Sequence, residues 1–242
     1  MTSNRTRIKI CGLTREQDVD AAVAAGVDAI GFVRYAKSPR FVSIERAVAL
    51  AGRLPAFVTP VLLYVNETAA TIQADCAQMP SAMAQFHGDE TPADCNSATG
   101  MGTRRYLRAA RIPLGEGAAA FDLVKYVHEY SQAQAILLDA HVEGYGGGGK
   151  TFNWSLLPTN VNAHLVLSGG LSAANVVDGI VQVRPRCKTL AVDVSSGVEA
   201  ASPDGGTLKG IKDAYKINQF VAAVRAADTL LAGKIHERLP TT

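Results

Sequence analysis

Eight short apolar runs recur along this chain, and a stretch long enough for a helix follows nearly every one. Apolar runs that do not alternate with polar residues suit strands buried on both faces, the condition of a parallel sheet. They fall at Arg7–Cys11, Ala29–Val33, Thr59–Val65, Met83–Phe86, Tyr106–Ala109, Ala135–Asp139, His164–Ser168 and Thr189–Val192. Ala-rich amphipathic stretches between them predict helices at Arg15–Ala25, Ile44–Leu54, Thr68–Gln78 and Ala173–Ile180, the first two entered through Thr14 and Ser43 as N-caps. Strands joined this way form a parallel sheet with right-handed crossovers. An open doubly wound sheet would carry a G-x-G-x-x-G turn after its first strand. Here that strand is followed by the single Gly12. A length of 242 residues suits the closed alternative, because an eight-stranded (β/α)8 barrel occupies about 250. The expectation is therefore an α/β chain forming one (β/α)8 barrel domain over residues 1–242. Residues 226–242 are read as a C-terminal tail, partly helical and frayed at Leu239-Pro240.

The charge balance narrows the function classes. Lys and Arg number 24 against 22 Asp and Glu, a formal net charge of +2. That makes no electrostatic case for a nucleic-acid or membrane partner. No apolar run reaches the ~18–20 residues a membrane span needs, and Met1–Arg7 is polar rather than signal-like. A cytoplasmic enzyme is the expectation. The four cysteines, Cys11, Cys76, Cys95 and Cys187, are far apart and never at C-x-x-C spacing. They read as free thiols, with no metal site.

In a barrel of this kind the chemistry sits where strands end at their carboxyl side. The first strand ends at Cys11, the second leads to Ser38-Pro39-Arg40, the fourth to His87-Gly88-Asp89, and the sixth ends at Asp139. The seventh and eighth lead into Gly169-Gly170 and Ser195-Ser196-Gly197. A thiol that loses a proton and a carboxyl that keeps one make a base/acid pair. Cys11 reads equally as a small buried apolar residue. Asp139 reads as a cap, although Ile136-Leu137-Leu138 leads a charge into apolar surroundings. Arg40, behind a rigid proline, suits bidentate capture of a carboxylate or is a solvated loop charge. His87 is a ligand contact or a structural histidine. Two successive glycine turns offer backbone N–H groups to an anion, which implies a phosphorylated small-molecule ligand. The string Gly144…Gly149-Lys150-Thr151 fits a P-loop formally, but Phe152-Asn153-Trp154 does not open a long helix. His141–Thr151, with five glycines in its eleven residues, and Glu199–Gly210 read as long loops.

An ordered set of segments spans Lys9 to Phe220: KICGLT at 9–14, GFVRYAKSPR at 31–40, QFHGDE at 85–90, LLDA at 137–140, GGGGKTFNW at 146–154, LSGGL at 167–171, DVSSGVE at 193–199 and GIKD at 210–213. This set resembles the phosphoribosylanthranilate isomerase family of tryptophan biosynthesis. The resemblance implies a cofactor-free aldose–ketose isomerase working by an Amadori rearrangement, as a monomer or homodimer. It implies Cys11 as general base, Asp139 as general acid and Arg40 as the contact for the anthranilate carboxylate. Gly169, Gly170, Ser196 and Gly197 match the family's phosphate loops, with Asp193 at the end of the eighth strand. The related sugar isomerase of histidine synthesis resembles an Asp/Asp pair, against which Cys11 argues. A non-catalytic phosphosugar-binding protein would have no need of Cys11 and Asp139. Three features depart from the family pattern. Arg34 stands where Phe is usual, and its charge is expected near the pocket mouth. Gly148 stands where Thr or Ser is usual, which predicts a more mobile loop. The stretch Ala200–Lys209 is longer than the usual turn.

Overall fold

The computed structural model describes residues 5–115, 117, 121–140 and 151–236. Eight parallel strands close into a barrel in sequence order: β1 Arg7–Cys11, β2 Ala29–Val33, β3 Thr59–Tyr64, β4 Met83–Phe86, β5 Tyr106–Ile112, β6 Ala135–Ala140, β7 His164–Leu167 and β8 Thr189–Val194. Closure is made by β8 on β1, with Arg7 opposite Ala191 and Ile10 opposite Val194. The period of two along a strand sorts side chains to opposite faces. Ile8 and Ile10 join the large core between the sheet and the helices. The inner face of the barrel is filled lower down by Val61, Leu107, Ala109, Leu137 and Val166. Lys9 and Cys11 alternate with Ile8 and Ile10 and so share the inner face of β1.

Seven helices lie on the outside among the described residues: α1 Glu16–Ala24, α2 Ile44–Ala51, α3 Ala69–Gln78, α4 Pro92–Ala98, α5 Leu123–Glu129, α6 Val176–Val183 and α7 Ala214–His236. Ser43 caps α2 through the Arg46 amide, and Thr68 caps α3 through that of Thr71. The expected Thr14 cap is not formed. Arg15 occupies the N-cap of α1, while the Thr14 hydroxyl donates to the Gly210 carbonyl at 2.7 Å. A distant carbonyl therefore outcompetes the local cap. Between β6 and β7 the described chain has only a 3-10 turn, Trp154–Leu156, in place of a helix. The buried Trp154 ring fits because Gly179 on α6 carries no side chain. A Cβ there would stand 2.7 Å from Leu167 Cδ2 and 3.3 Å from the indole.

The stretch expected as a loop after β8 is structured. Glu199–Ala201 (β9) and Thr207–Lys212 (β10) pair antiparallel as a hairpin. The Gly210 φ of +81° and an irregular register break the alternation that would mark β10 in the sequence. Helix α7 runs without interruption through residue 226. Its Asp228 accepts the Thr6 amide at 2.8 Å and pairs with Arg184 at 3.1 Å, tying the helix to the start of β1. No described helix is long and apolar enough to cross a membrane.

Candidate active site

The carboxyl ends of the strands surround a pocket lined by Cys11, Val33, Tyr35, Ser38, Arg40, Leu63, Val65, His87, Asp139, Ser168, Gly169, Gly170, Leu171, Asp193, Val194, Ser195 and Ser196. Every site residue expected from the sequence lines it except Gly197, which packs against the loop after β7. The wall is divided by chemistry. Val33, Leu63, Val65 and the Tyr35 position form an apolar side at the ends of β2 and β3. The glycine loops after β7 and β8 form a polar side.

Cys11 ends β1 and is 4 % exposed. Burial pushes its thiol up from its ordinary value, and Lys9 pulls against that shift. Asp139 is the last residue but one of β6 and is buried against His87, with His87 Nε2 2.8 Å from its Oδ2. On the other side of the ring, the Gln85 amide nitrogen donates to His87 Nδ1 at 3.1 Å. The ring is thus held between Gln85 and Asp139. Asp139 Oδ1 is left toward the loop after β7. A Cβ at Gly169 would lie 2.6 Å from this oxygen, so only glycine admits the carboxylate there.

Arg40 does not stand free in the mouth. Its Nε and Nη2 donate to the two carboxylate oxygens of Glu199 at 2.6 and 2.9 Å, so the bidentate capture expected of it is made within the protein. Glu199 is fully buried and also accepts from the Gly210 amide at 2.9 Å and from Lys212 Nζ at 3.3 Å. Burial works to raise the Glu199 carboxyl, yet Arg40, Lys212 and Gly210 outweigh it and hold the group ionised below its ordinary value. Burial brings Lys212 down to about 8 against the pull of Glu199. The Arg40 side chain lies over Gly12, where a Cβ would meet its Cδ at 2.6 Å. Pinned along one edge by Glu199, Arg40 still lines the pocket.

The two loops on the polar side are fastened from behind. Asn175 accepts the Ser172 amide at 2.8 Å and donates to the Gly170 carbonyl at 3.0 Å. Lys212 Nζ donates to the Ser195 carbonyl at 2.9 Å. The amides of Gly169 and Gly170, at φ +74° and +63°, have no acceptor among the described residues. Backbone N–H groups held this way form a concavity for an anion. Gly197 packs directly on the loop after β7, since a Cβ on it would stand 2.0 Å from the Leu171 carbonyl oxygen. Gly197→Ala must therefore push the two loops apart. It is expected to raise KM for a phosphorylated substrate by about tenfold or more and to weaken inhibition by inorganic phosphate in parallel; unchanged values for both would refute the role.

The sequence reading missed Gln85, Glu199, Lys212, Lys9 and Gly31. A charged residue inside an apolar run, as in Ile8-Lys9-Ile10, was the available signal for Lys9. The Arg34 expectation is corrected. Its guanidinium binds Asp75 on α3 at 2.8 and 3.3 Å and stacks 5.5 Å from the Phe41 ring. Strand alternation turns it away from the pocket, and the neighbouring Tyr35 lines the mouth instead. Gly148 lies outside the described residues, as does most of the glycine-rich segment with the P-loop-like string.

A closed barrel with a thiol, a carboxyl–imidazole pair and an anion cradle at the carboxyl ends of its strands defines a (β/α)8-barrel enzyme for a phosphorylated substrate. Comparison with known proteins narrows this class. Residues 8–223 match the family described as N-(5'phosphoribosyl)anthranilate (PRA) isomerase, and the chain belongs to that family. The N-(5'-phosphoribosyl)anthranilate isomerase of Methylibium petroleiphilum is 61 % identical over 228 residues, covering 94 % of this chain and 98 % of the relative. That of Leptothrix cholodnii is 59 % identical over 224 residues, covering 93 % of each. The crystal structure of phosphoribosyl anthranilate isomerase from Thermotoga maritima superposes with a TM-score of 0.76 at 36 % identity, over 91 % of this chain and 99 % of that one. A further phosphoribosyl anthranilate isomerase structure holds reduced 1-(o-carboxyphenylamino)-1-deoxyribulose 5-phosphate. It matches at a TM-score of 0.73 and 33 % identity, over 91 % and 99 % of the two chains.

Proposed function

We propose that this chain converts N-(5'-phosphoribosyl)anthranilate to 1-(2-carboxyphenylamino)-1-deoxyribulose 5-phosphate, the isomerisation step of tryptophan biosynthesis. The observation that carries the reading is one pocket that joins an anion cradle, an apolar wall and a thiol/carboxyl pair. The substrate has the same three parts: a phosphate, an aromatic ring and a sugar carbon chain that must gain and lose protons.

The phosphate is placed on the amides of Gly169, Gly170, Ser196 and Gly197, with the anthranilate ring against Val33, Leu63 and Val65. Arg40 meets the anthranilate carboxylate. Asp139, its Oδ2 tethered by His87, delivers a proton from Oδ1 to the ribose ring oxygen. The C1′–O bond breaks, and the anilino nitrogen lone pair forms the C1′=N bond of a Schiff base. Cys11, as thiolate, then removes the C2′ proton. The C2′–H electrons form the C1′=C2′ bond of an enolamine and neutralise the iminium nitrogen. Loss of the O2′ proton and gain of one at C1′ give the ketose. The scheme needs no redox partner, because the oxidation of C2′ balances the reduction of C1′, and no metal or organic cofactor is invoked. Asp193 stands beneath the site and holds Lys9.

The proposed setting is the cytoplasm, and the proposed assembly is a monomer or a homodimer. A solved relative from Thermotoga maritima is described as a dimeric enzyme. Light scattering on the purified chain decides between the two states. Activity is tested by following the fluorescence of phosphoribosylanthranilate, generated in situ, after adding purified protein without metal. Rapid decay with appearance of the ketose is expected. Folded protein that leaves the fluorescence at its spontaneous rate would refute the assignment.

A further inference from the structure

Lys9 is a charged side chain inside the barrel that the scheme above leaves without a task. Its Nζ lies 2.9 Å from Asp193 Oδ1, and both side chains are about 95 % buried. Strand alternation brings Lys9 and Cys11 to the same inner face, one pleat apart. Gly31 on β2 faces Cys11 across the sheet. A Cβ on Gly31 would stand 2.6 Å from Cys11 Sγ and 3.0 Å from Lys9 Nζ. Sulfur and ammonium thus converge on the socket left by one missing side chain. A base in a dry barrel faces a specific difficulty, since burial favours its neutral thiol form.

We propose that Lys9 is the positioning residue that makes Cys11 usable as a base, its ammonium clamped by Asp193 and held against the thiolate in the Gly31 socket. The proposal rests on Cys11 being the base. Lys9 transfers no proton. It stays an ammonium while the thiolate takes the C2′ proton and becomes a thiol. Burial alone would pull Lys9 down, but Asp193 and Cys11 outweigh it and keep it above its ordinary value. The charged groups acting on Cys11 come from three strands. Lys9 on β1 and Lys212 on β10 favour the thiolate, and Asp193 on β8 opposes it. The pull of Lys9 exceeds the push of Asp193, so losing the pair together still disfavours the thiolate.

The test reads the thiol directly. Iodoacetamide labelling of Cys11 is measured against pH by peptide mass in wild type, Lys9→Met and Lys9→Met/Asp193→Asn. Cys76, Cys95 and Cys187 serve as internal controls. Removing the ion pair as a unit avoids leaving the Asp193 charge buried alone, so the double variant covers the case in which Lys9→Met does not fold. In Lys9→Met the labelling midpoint of Cys11 is expected to rise by about one pH unit or more. At a fixed pH below that midpoint the thiolate fraction then falls about tenfold, and kcat/KM falls with it. The deficit should shrink as pH is raised, a recovery that a purely structural defect would not show. A Cys11 midpoint equal to wild type in either folded variant overturns the proposal. If the midpoint rises but Cys11→Ser remains active, the base assignment fails while the electrostatic role of Lys9 stands, so the two failures are told apart.

Discussion

Cys11→Ser and Asp139→Asn are each expected to lower kcat by about 10³-fold, while KM and the cooperative melt change little. The two replacements keep shape and remove one proton-transfer ability each. Serine fits the Gly31 socket, but its hydroxyl is a far weaker acid than a thiol and holds no appreciable anion at neutral pH. Asparagine keeps the contact with His87, since its amide can either donate to or accept from the Nε2 now 2.8 Å from Asp139 Oδ2, but it has no acidic proton to deliver. Because neither residue carries the phosphate or the aromatic ring, binding should survive. The split between kcat and KM is therefore diagnostic. Loss of substrate affinity with kcat retained would assign both residues to binding and leave the proton transfers without a donor and a base.

The second large effect concerns stability as well as rate. Glu199→Gln is expected to cost about 3–5 kcal/mol, because it leaves Arg40 and Lys212 as buried cations with their shared anion removed. For a chain of this size that corresponds to roughly 10 °C in Tm. Four hydrogen bonds converge on this carboxylate, from Arg40 twice, Gly210 and Lys212. Through them it fixes the guanidinium over Gly12 and the hairpin β9–β10 under the phosphate loop. Affinity should fall together with stability, since Arg40 lines the pocket with one edge tied to Glu199. Thermal melts of the two proteins in the same buffer check this. A Glu199→Gln protein melting within a degree or two of wild type would show that the cluster is solvated and its charges independent.

The barrel was legible because each of its strands is buried on both faces. Arg7–Cys11, Ala29–Val33 and Met83–Phe86 were bounded correctly from apolar continuity. The strands β5 and β8 ran further than their apolar runs, to Ile112 and Val194. Their added residues include Arg111 and Asp193, whose charges read as an end of strand. The hairpin was not legible. Thr207-Leu208-Lys209 is exposed, and Gly210 interrupts its alternation. At the site, Cys11, Asp139 and the two glycine turns could be found by their position after strands. Their partners could not. Lys9 meets Asp193 across 184 residues, and Arg40 meets Glu199 across 159. Pairings of that separation leave no local pattern, so even where a charge inside an apolar run marks Lys9 as unusual, the sequence does not say what it meets. Arg34 is the converse case, a charge expected at the mouth that the pleat directs to Asp75.

The most direct test of the central claim is a single turnover with enzyme in excess over phosphoribosylanthranilate, followed by substrate fluorescence in wild type and in Cys11→Ser. Working below one substrate per site removes product release from the reading and leaves binding and chemistry. The account predicts that wild type consumes the substrate within one enzymatic turn and yields the ketose. It predicts that Cys11→Ser binds the same substrate but lets it decay at the spontaneous rate. Consumption by Cys11→Ser at a rate near that of wild type would contradict the thiol as base, and with it the reading of this pocket as a thiol/carboxyl isomerase site.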